Sequence, residues 1–204
     1  MARRAHFQMR QENNTAESRE RRGIMIYPLD VILKEIEGVL AQIGEDQVSD
    51  VMASFSRERR VFVDGEGRSG FSAKGFAMRL MHIGYTVYFV GETITPAMRE
   101  NDLFVAVSGS GKSANVCNDA KKAKGAGAEV IAVTSKADSP LAEIADKVLI
   151  IPGTVKGDAG AGRTSIQLLS SLFDQSLHIV LDALCLLLSQ RDATANDTAT
   201  KAHW

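Results

Sequence analysis

The chain has few cysteines and no excess of positive charge. Its 204 residues include only Cys117 and Cys185, and neither stands in a Cys-X-X-Cys or Cys/His metal-binding spacing. This excludes a disulfide framework and favours a reducing, cytoplasmic location, with both thiols as small apolar core side chains. The formal net charge is -1, whereas nucleic-acid-binding domains are usually basic. We therefore expect no nucleic-acid partner.

A long apolar run free of polar groups is also missing. The most apolar stretch, 166–188, is interrupted by Asp174, His178 and Asp182, and such groups disfavour a membrane span. We expect a buried helix there and no membrane partner. Because apolar residues cover most of the circumference of this predicted helix (168–190), we also expect it to pack in a subunit interface.

Length and composition predict one domain with two extensions. Residues 1–26 are rich in arginine but also hold three glutamates, and they lack the apolar core of a secretory signal. They predict a flexible N-terminal arm, with a nucleic-acid-binding arm as the less favoured alternative. Residues 27–190 form the predicted domain. Residues 191–204 are polar and predict a loose C-terminal tail.

The domain alternates short apolar runs with helical segments. Helices are predicted at 29–43, 45–55, 71–83, 114–125 and 140–145, in addition to 168–190. The predicted strands are Val61–Val63, Val87–Val90, Leu103–Val107, Val130–Val133 and Val148–Ile151. Strands without polar alternation are buried on both faces, as in parallel sheets. The pattern predicts an α/β fold, a flavodoxin-like three-layer sandwich with a five-stranded parallel sheet.

Two glycine–serine segments, 65–70 and 108–113, each follow a predicted strand and open a predicted helix. Glycines permit close approach of a ligand, and hydroxyls with free amides at a helix N-terminus bind anions. In a flavodoxin-like sheet the first and third strands are neighbours, so both segments would share one edge. The sequence predicts one phosphate pocket there. Its predicted substrate-binding residues are Gly67, Ser69, Ser108, Gly109, Ser110 and Ser113.

Other polar residues near this edge have alternative interpretations. Arg68 would clamp a phosphate or sugar hydroxyl, or else form an ion pair with Glu66. Glu92, after the second strand, would hold sugar hydroxyls or cap a helix. Asp174 is a candidate for proton transfer. The glycine-rich loop 153–164 would be a mobile cover or a slack surface loop.

One stripe of the long helix holds His178 and Asp182 four residues apart, in line with Asp174. For His178 and Asp182 we favour a solvated or subunit-bridging stripe over a catalytic pair.

The segment 106–113 also approaches a P-loop, with Ala106 where the first glycine of that motif belongs. A nucleotide hydrolase is therefore an alternative. The segment 134–138 after a later strand faintly resembles a guanine-recognition motif. However, only about twenty residues separate Ser113 from Thr134, which leaves too little chain for the switch segments and the Mg²⁺-binding strand of a nucleotide hydrolase. This alternative also leaves the first glycine–serine segment unexplained.

The stretch 61–95 (VFVDGEGRSGFSAKGFAMRLMHIGYTVYFVGETIT), with SGSGKS, AVTSKADSPLAEIAD and SIQLLSSLFDQ, resembles the 6-phospho-3-hexuloisomerases of the sugar isomerase (SIS) domain family. The likeness extends over 29–190. It implies a tetrameric isomerase that converts 3-hexulose 6-phosphate to fructose 6-phosphate through an enediol, in formaldehyde fixation by the ribulose monophosphate route. It implies no redox cofactor and no metal.

The resemblance also implies residue roles. The family's phosphate-binding serines map to Ser69, Ser108, Ser110 and Ser113. Its base is the glutamate of SLFEQ, a position that Asp174 occupies here, and a histidine near the family's C-terminus, matched here by His203, assists from a neighbouring subunit. Asp174 is one methylene shorter than glutamate, and Lys112 stands where the family usually has glutamate. These departures keep two alternatives open: a non-catalytic phosphosugar-binding protein, or an isomerase of another sugar phosphate.

Overall fold

A five-stranded parallel sheet forms the centre of the computed structural model, which describes residues 26–160 and 163–203. The strands are β1 (Arg60–Gly65), β2 (Thr86–Phe89), β3 (Leu103–Val107), β4 (Glu129–Thr134) and β5 (Lys147–Ile150). Their order is β2-β1-β3-β4-β5, and every neighbouring pair is parallel. The predicted flavodoxin-like sheet is confirmed. All of the predicted N-terminal arm except residue 26 lies outside the described residues.

Helices cover both faces of the sheet. They are α1 (26–40), α2 (Glu45–Ala53), α3 (Gly67–His82), α4 (Ala114–Gly125), α5 (Pro140–Ile144), α6 (Ser171–Arg191) and α7 (Asn196–Lys201). Alternate strand residues point to opposite faces. Val61, Val63 and Val105 pack in one core with residues of α1, α2, α3 and α6, whereas Phe62 and Phe104 pack in a second core with α4 and α5. The fold is therefore the predicted three-layer sandwich.

Among the described helices, α1 is already helical at residue 26 rather than 29, and two helix starts near the carboxyl edge of the sheet also differ from the sequence prediction. The structure begins α3 at Gly67 rather than Phe71, so the first glycine–serine segment is itself the opening turn of the helix. It begins α6 at Ser171 rather than Leu168, because Leu169 adopts a positive φ of 53°, which a non-glycine residue inside a right-handed helix does not adopt. Apolar side chains at 168 and 169 suggested helix, but both are exposed.

The C-terminal tail carries a short helix that the sequence analysis did not predict. This helix, α7, lies against α3, and Ala199 packs on the main core.

Within the described residues, α6 is long and apolar enough to cross a membrane by length and composition. Its buried side chains, including Phe173 and Leu177, form part of the core described above. We therefore interpret α6 as the core helix that the sequence predicted. Ile179, Leu186 and Leu187 of this helix stay exposed, and its packing in a subunit interface stays a prediction.

Candidate active site

The candidate site lies where the strand order changes direction, between β1 and β3. Gly65 at the end of β1 is in register with Val107 at the end of β3, so the segments that follow both strands start side by side. Ligands of open α/β sheets bind at such a point, beyond the carboxyl ends of the strands. The structure thus confirms that the two glycine–serine segments meet.

Two glycines allow the close packing of this edge. A Cβ atom on Gly70 would lie 2.5 Å from the carbonyl oxygen of Gly65, so only glycine lets α3 start directly above the end of β1. A Cβ on Gly109 would lie 2.8 Å from the Phe173 ring of α6. Gly109 therefore brings the second segment against α6, which carries Asp174.

A cavity of about 260 Å³, which we call the serine cavity, opens between the two segments. Its lining includes the four predicted serines and the predicted Gly109. The lining residues are Glu66, Ser69, Val107, Ser108, Gly109, Ser110, Lys112, Ser113, Val155, Lys156 and Ser170. Hydroxyl groups, backbone amides and two lysines around a small volume form an environment suited to a phosphate group.

Asp174 connects α6 to the first segment. Its Oδ1 accepts a hydrogen bond of 2.7 Å from the Ser69 hydroxyl, and its Oδ2 lies 3.6 Å from Arg68 Nε. Arg68 also donates to the Ser171 hydroxyl at 2.7 Å. The alternative ion pair between Arg68 and Glu66 is therefore wrong, because the guanidinium turns toward α6.

Burial raises the proton affinity of the Asp174 carboxyl group. Asp174 is only 5% exposed. This burial raises the pKa of Asp174 above its ordinary value, while the Ser69 hydrogen bond and the Arg68 charge oppose the rise. A carboxylate whose pKa moves toward neutrality is a better proton acceptor and donor in catalysis at neutral pH.

A second cavity of about 470 Å³, which we call the Asp174 cavity, adjoins the serine cavity at the Ser69–Asp174 hydrogen bond. Its lining residues are Ile36, Arg68, Phe71, Ser72, Asp174, Gln175, His178 and Ile179. His178 Nε2 is 3.7 Å from Asp182 Oδ2, and both side chains are more than half exposed. This geometry agrees with the favoured interpretation of these two residues as a solvated pair.

Three other predicted site residues line neither cavity. Gly67 is the first residue of α3. Glu92 follows the outer strand β2, is exposed, and does not line either cavity. The His203 ring contacts the ring of His82, the last residue of α3, with 5.2 Å between centroids. Since Ser69 and His82 lie near opposite ends of α3, this contact is about 20 Å along the helix from the serine cavity. A role for His203 in a neighbouring subunit stays a prediction.

The sequence analysis missed three residues of the serine cavity. Glu66 accepts hydrogen bonds from the Ser113 hydroxyl and, at 2.6 Å, from Asn115 Nδ2. Lys156 and Ser170 come from the segment between β5 and α6, and the Ser170 hydroxyl accepts a 2.9 Å hydrogen bond from the Lys156 amide. Glu66 stood inside a quoted motif, so its position was a usable signal. Lys156 had none, because its loop has no periodic pattern.

The segment between β5 and α6 is fixed at both of its described ends. At the start, Val155 is 2% exposed and packs in the main core, so this part is not the slack loop considered above. At the other end, Glu35 of α1 accepts hydrogen bonds from the Ser165 hydroxyl (2.7 Å), the Ile166 amide (2.9 Å) and the Gln167 side chain (2.9 Å). This anchor holds the approach to α6 and its Asp174.

Comparison with known proteins places this geometry in a family. A family model described as the SIS domain matches residues 54–179. The 3-hexulose-6-phosphate isomerase of Mycobacterium gastri is 42% identical over 156 residues, covering 76% of this chain and 78% of the relative. The Bacillus subtilis 3-hexulose-6-phosphate isomerase is 34% identical over 172 residues, covering 84% and 93%.

A solved structure extends the likeness to three dimensions. A hypothetical protein of Methanococcus jannaschii matches with a TM-score of 0.75 and 28% identity. Its crystal structure is described as inferring a molecular function of 3-hexulose-6-phosphate isomerase. The match covers 87% of this chain and 98% of that chain. The sheet and helices described above are thus those of this family.

Proposed function

This chain belongs to the SIS domain family, and on that premise we propose that it is a phosphosugar isomerase that interconverts 3-hexulose 6-phosphate and fructose 6-phosphate. The observation that carries the proposal is the Ser69–Asp174 hydrogen bond of 2.7 Å, which joins a hydroxyl-lined cavity to a buried carboxyl group. The relatives named above support the choice of substrate.

The two adjoining cavities suggest how the substrate binds. The phosphate would occupy the serine cavity, held by the hydroxyls of Ser108, Ser110 and Ser113 and by amides at the starts of α3 and α4. The sugar carbons would extend past Ser69 into the Asp174 cavity. There Arg68, which is 59% exposed along its side chain, is available to a sugar hydroxyl.

The reaction moves a carbonyl group between neighbouring carbons. Asp174 takes the proton from C2 of the 3-ketose, and the electron pair of that C–H bond forms the C2=C3 bond of an enediolate. The C3 oxygen gains a proton and the C2 hydroxyl loses one. Return of a proton from Asp174 to C3 then leaves the carbonyl at C2, so atoms and electrons balance. Asp174 fits this role because burial raises its pKa.

Conversion of 3-hexulose 6-phosphate by the purified protein tests the proposal. Phosphoglucose isomerase converts the fructose 6-phosphate to glucose 6-phosphate. Glucose-6-phosphate dehydrogenase then oxidises that product, and the NADPH formed is measured. We expect turnover by the wild type and a loss of about a hundredfold or more in Asp174→Asn, since general-base catalysis contributes that much. Asp174→Glu extends the carboxylate and should raise kcat, because small misplacements of a base are costly. No product from the wild type would contradict the proposal.

A non-catalytic phosphosugar-binding protein is the second candidate. It is favoured by the short Asp174 side chain, which stays bonded to Ser69 and close to Arg68 within its own chain. A thermal-shift series with fructose 6-phosphate and unphosphorylated fructose separates the two candidates. Stabilisation by the phosphate ester together with zero turnover would favour this second candidate.

The proposed assembly is a homotetramer, in which His203 of a neighbouring subunit would assist Asp174. His203→Ala should then lower kcat without unfolding the subunit. An unchanged kcat in this variant would remove His203 from the proposed mechanism.

A further inference from the structure

Glu66 brings a negative charge into the serine cavity. It is the one acidic residue among the described residues that line this cavity. Its Oε2 accepts the hydrogen bond of the Ser113 hydroxyl, and its Oε1 accepts that of Asn115 at 2.6 Å. These hydrogen bonds, that of Ser113 first, hold the pKa of Glu66 below its ordinary value. The side chain is therefore a carboxylate at neutral pH.

This carboxylate and a phosphate ligand compete for one hydroxyl proton. Ser113 has a single O–H donor, so the bond to Glu66 leaves none for a phosphate oxygen. A phosphomonoester carries a charge of about -1.5 to -2 at pH 7, so the carboxylate also repels it. Lys112 and Lys156 line the same cavity, are exposed, and form no ion pair within 26–160 and 163–203. They offset this repulsion without removing the competition.

We propose that Glu66 sets how tightly the serine cavity binds any phosphate group. It holds the Ser113 hydroxyl in the free protein and releases it only to a phosphate that displaces the carboxylate. Free inorganic phosphate has no further contacts to drive that displacement. A phosphate ester has them, because its sugar reaches the Asp174 cavity. The cost of this displacement is the same for both ligands, so it leaves inorganic phosphate too weakly bound to occupy the cavity, whereas a sugar phosphate still binds. This inference rests on the proposed function, since it takes the serine cavity as the phosphate site.

Calorimetric titration of Glu66→Gln tests this inference. The variant removes the charge but keeps an oxygen acceptor for Asn115. It should also fold, because Glu66 is exposed and its side chain makes no capping hydrogen bond at the start of α3. We expect about a tenfold or greater gain in affinity for inorganic phosphate and a similar gain for fructose 6-phosphate, because both ligands displace the same carboxylate.

Two further variants separate competition from general charge. Asp119→Asn removes the same charge one turn along α4 from Asn115, outside the cavity, and should change either affinity less than twofold. Ser113→Ala removes the contested hydroxyl. In that background, Glu66→Gln should give a much smaller gain than it gives in the wild type. An undiminished gain would overturn the competition for Ser113.

The possible failures are distinguishable. If the wild type binds fructose 6-phosphate and Glu66→Gln leaves both affinities within twofold or weakens them, the inference is overturned while the proposed function stands. If neither wild type nor variant binds fructose 6-phosphate, the phosphate site itself is wrong and the inference fails with it. Binding of inorganic phosphate by the wild type as tightly as the ester would also overturn it.

Discussion

Two buried carboxyl groups, Asp64 and Asp174, lie at the site edge of the sheet, and their surroundings differ. Asp174 has a hydroxyl donor and a nearby guanidinium. Asp64 accepts one hydrogen bond of 2.8 Å from the Gly65 amide, and its second oxygen is buried without a hydrogen-bond partner among the described residues. Burial, with the negative charge of Asp119 second, raises the pKa of Asp64 to about 6. The ionised form of Asp64 therefore destabilises the folded chain.

Asp64→Asn should stabilise the protein in a pH-dependent way. Because the folded pKa of Asp64 lies above its unfolded value, the wild type loses stability as pH rises from about 4 through 6. The asparagine variant avoids this loss. Its free energy of unfolding should exceed that of the wild type by up to about 3 kcal/mol at pH 7.5 and by much less at pH 4.5. Thermal unfolding at both pH values measures this, and an equal difference at both would contradict it.

At the scale of single elements, α3 depends on a glycine in its first turn. Gly70→Ala would place a Cβ 2.5 Å from the Gly65 carbonyl, so the helix must shift away from β1. We expect a loss of about 2 kcal/mol or more in the free energy of unfolding, measured by urea denaturation. The shift should also weaken binding of fructose 6-phosphate.

Gly75→Ala is the matched control in the same helix. A Cβ at position 75 has 3.9 Å to its nearest neighbour, in His178. Alanine is the better helix former, so this variant should gain about 0.5 to 1 kcal/mol. If both substitutions changed the free energy of unfolding equally, close packing at Gly70 would not be the cause of the loss in Gly70→Ala.

Sequence patterns predicted the strands well, because their burial is continuous. They predicted helix starts poorly, because local backbone geometry determines where a helix begins. Five apolar runs sufficed for the sheet and its order, because strands buried on both faces leave a strong signal. The start of α3 was placed four residues late, since glycines at 67 and 70 disfavour helix by propensity. Gly70 is required here by its close approach to Gly65 of β1, and Gly67 adopts a positive φ of 57°. The role of Glu35 was invisible, because its partners lie about 130 residues away in the chain.

The segment before α6 should loosen when Glu35 is neutralised. Glu35→Gln keeps the size of the side chain but weakens the hydrogen bonds from Ser165, Ile166 and Gln167. We expect faster proteolysis within 163–170 and a loss of about 1 to 3 kcal/mol. Glu37→Gln, exposed on the same helix, should change neither.

The effect of Glu35 should depend on pH. Its three hydrogen bonds outweigh burial and lower its pKa. Its stabilisation is therefore present at neutral pH and is lost as pH falls through the folded pKa. A difference between wild type and Glu35→Gln that persisted unchanged at pH 3 would contradict this account.

At the scale of the whole molecule, several helices carry large apolar side chains that stay exposed. They are contributed by α1, α3 and α6 and include Leu33, Met78, Ile179 and Leu186. Patches of this kind mark association surfaces. We predict self-association, which light scattering of the full chain measures, and we expect Leu186→Glu to reduce the assembled fraction. Gln190→Glu adds the same charge on α6 and should not. A wild-type monomer would contradict this prediction.

The functional class followed from how the two glycine–serine segments combine. Segment 108–113 alone resembled a P-loop. Its neighbour across β1 and β3 supplies Ser69, and Ser69 leads to Asp174. Residue motifs predicted this pairing and include Glu66 in the first segment, but they gave no sign that Lys156 faces the same cavity.

The register of β1 against β3 sets the dimensions of the serine cavity. The pairs from Val61↔Leu103 to Gly65↔Val107 fix the height of one segment against the other. A slip of one residue would move Ser108 about 3.3 Å along the sheet and turn alternate side chains to the opposite face. The segment 90–102, which joins β2 to β3, does not set this register. Insertions there should change its length freely, while the spacing between the serines and Asp174 is inherited from the sheet.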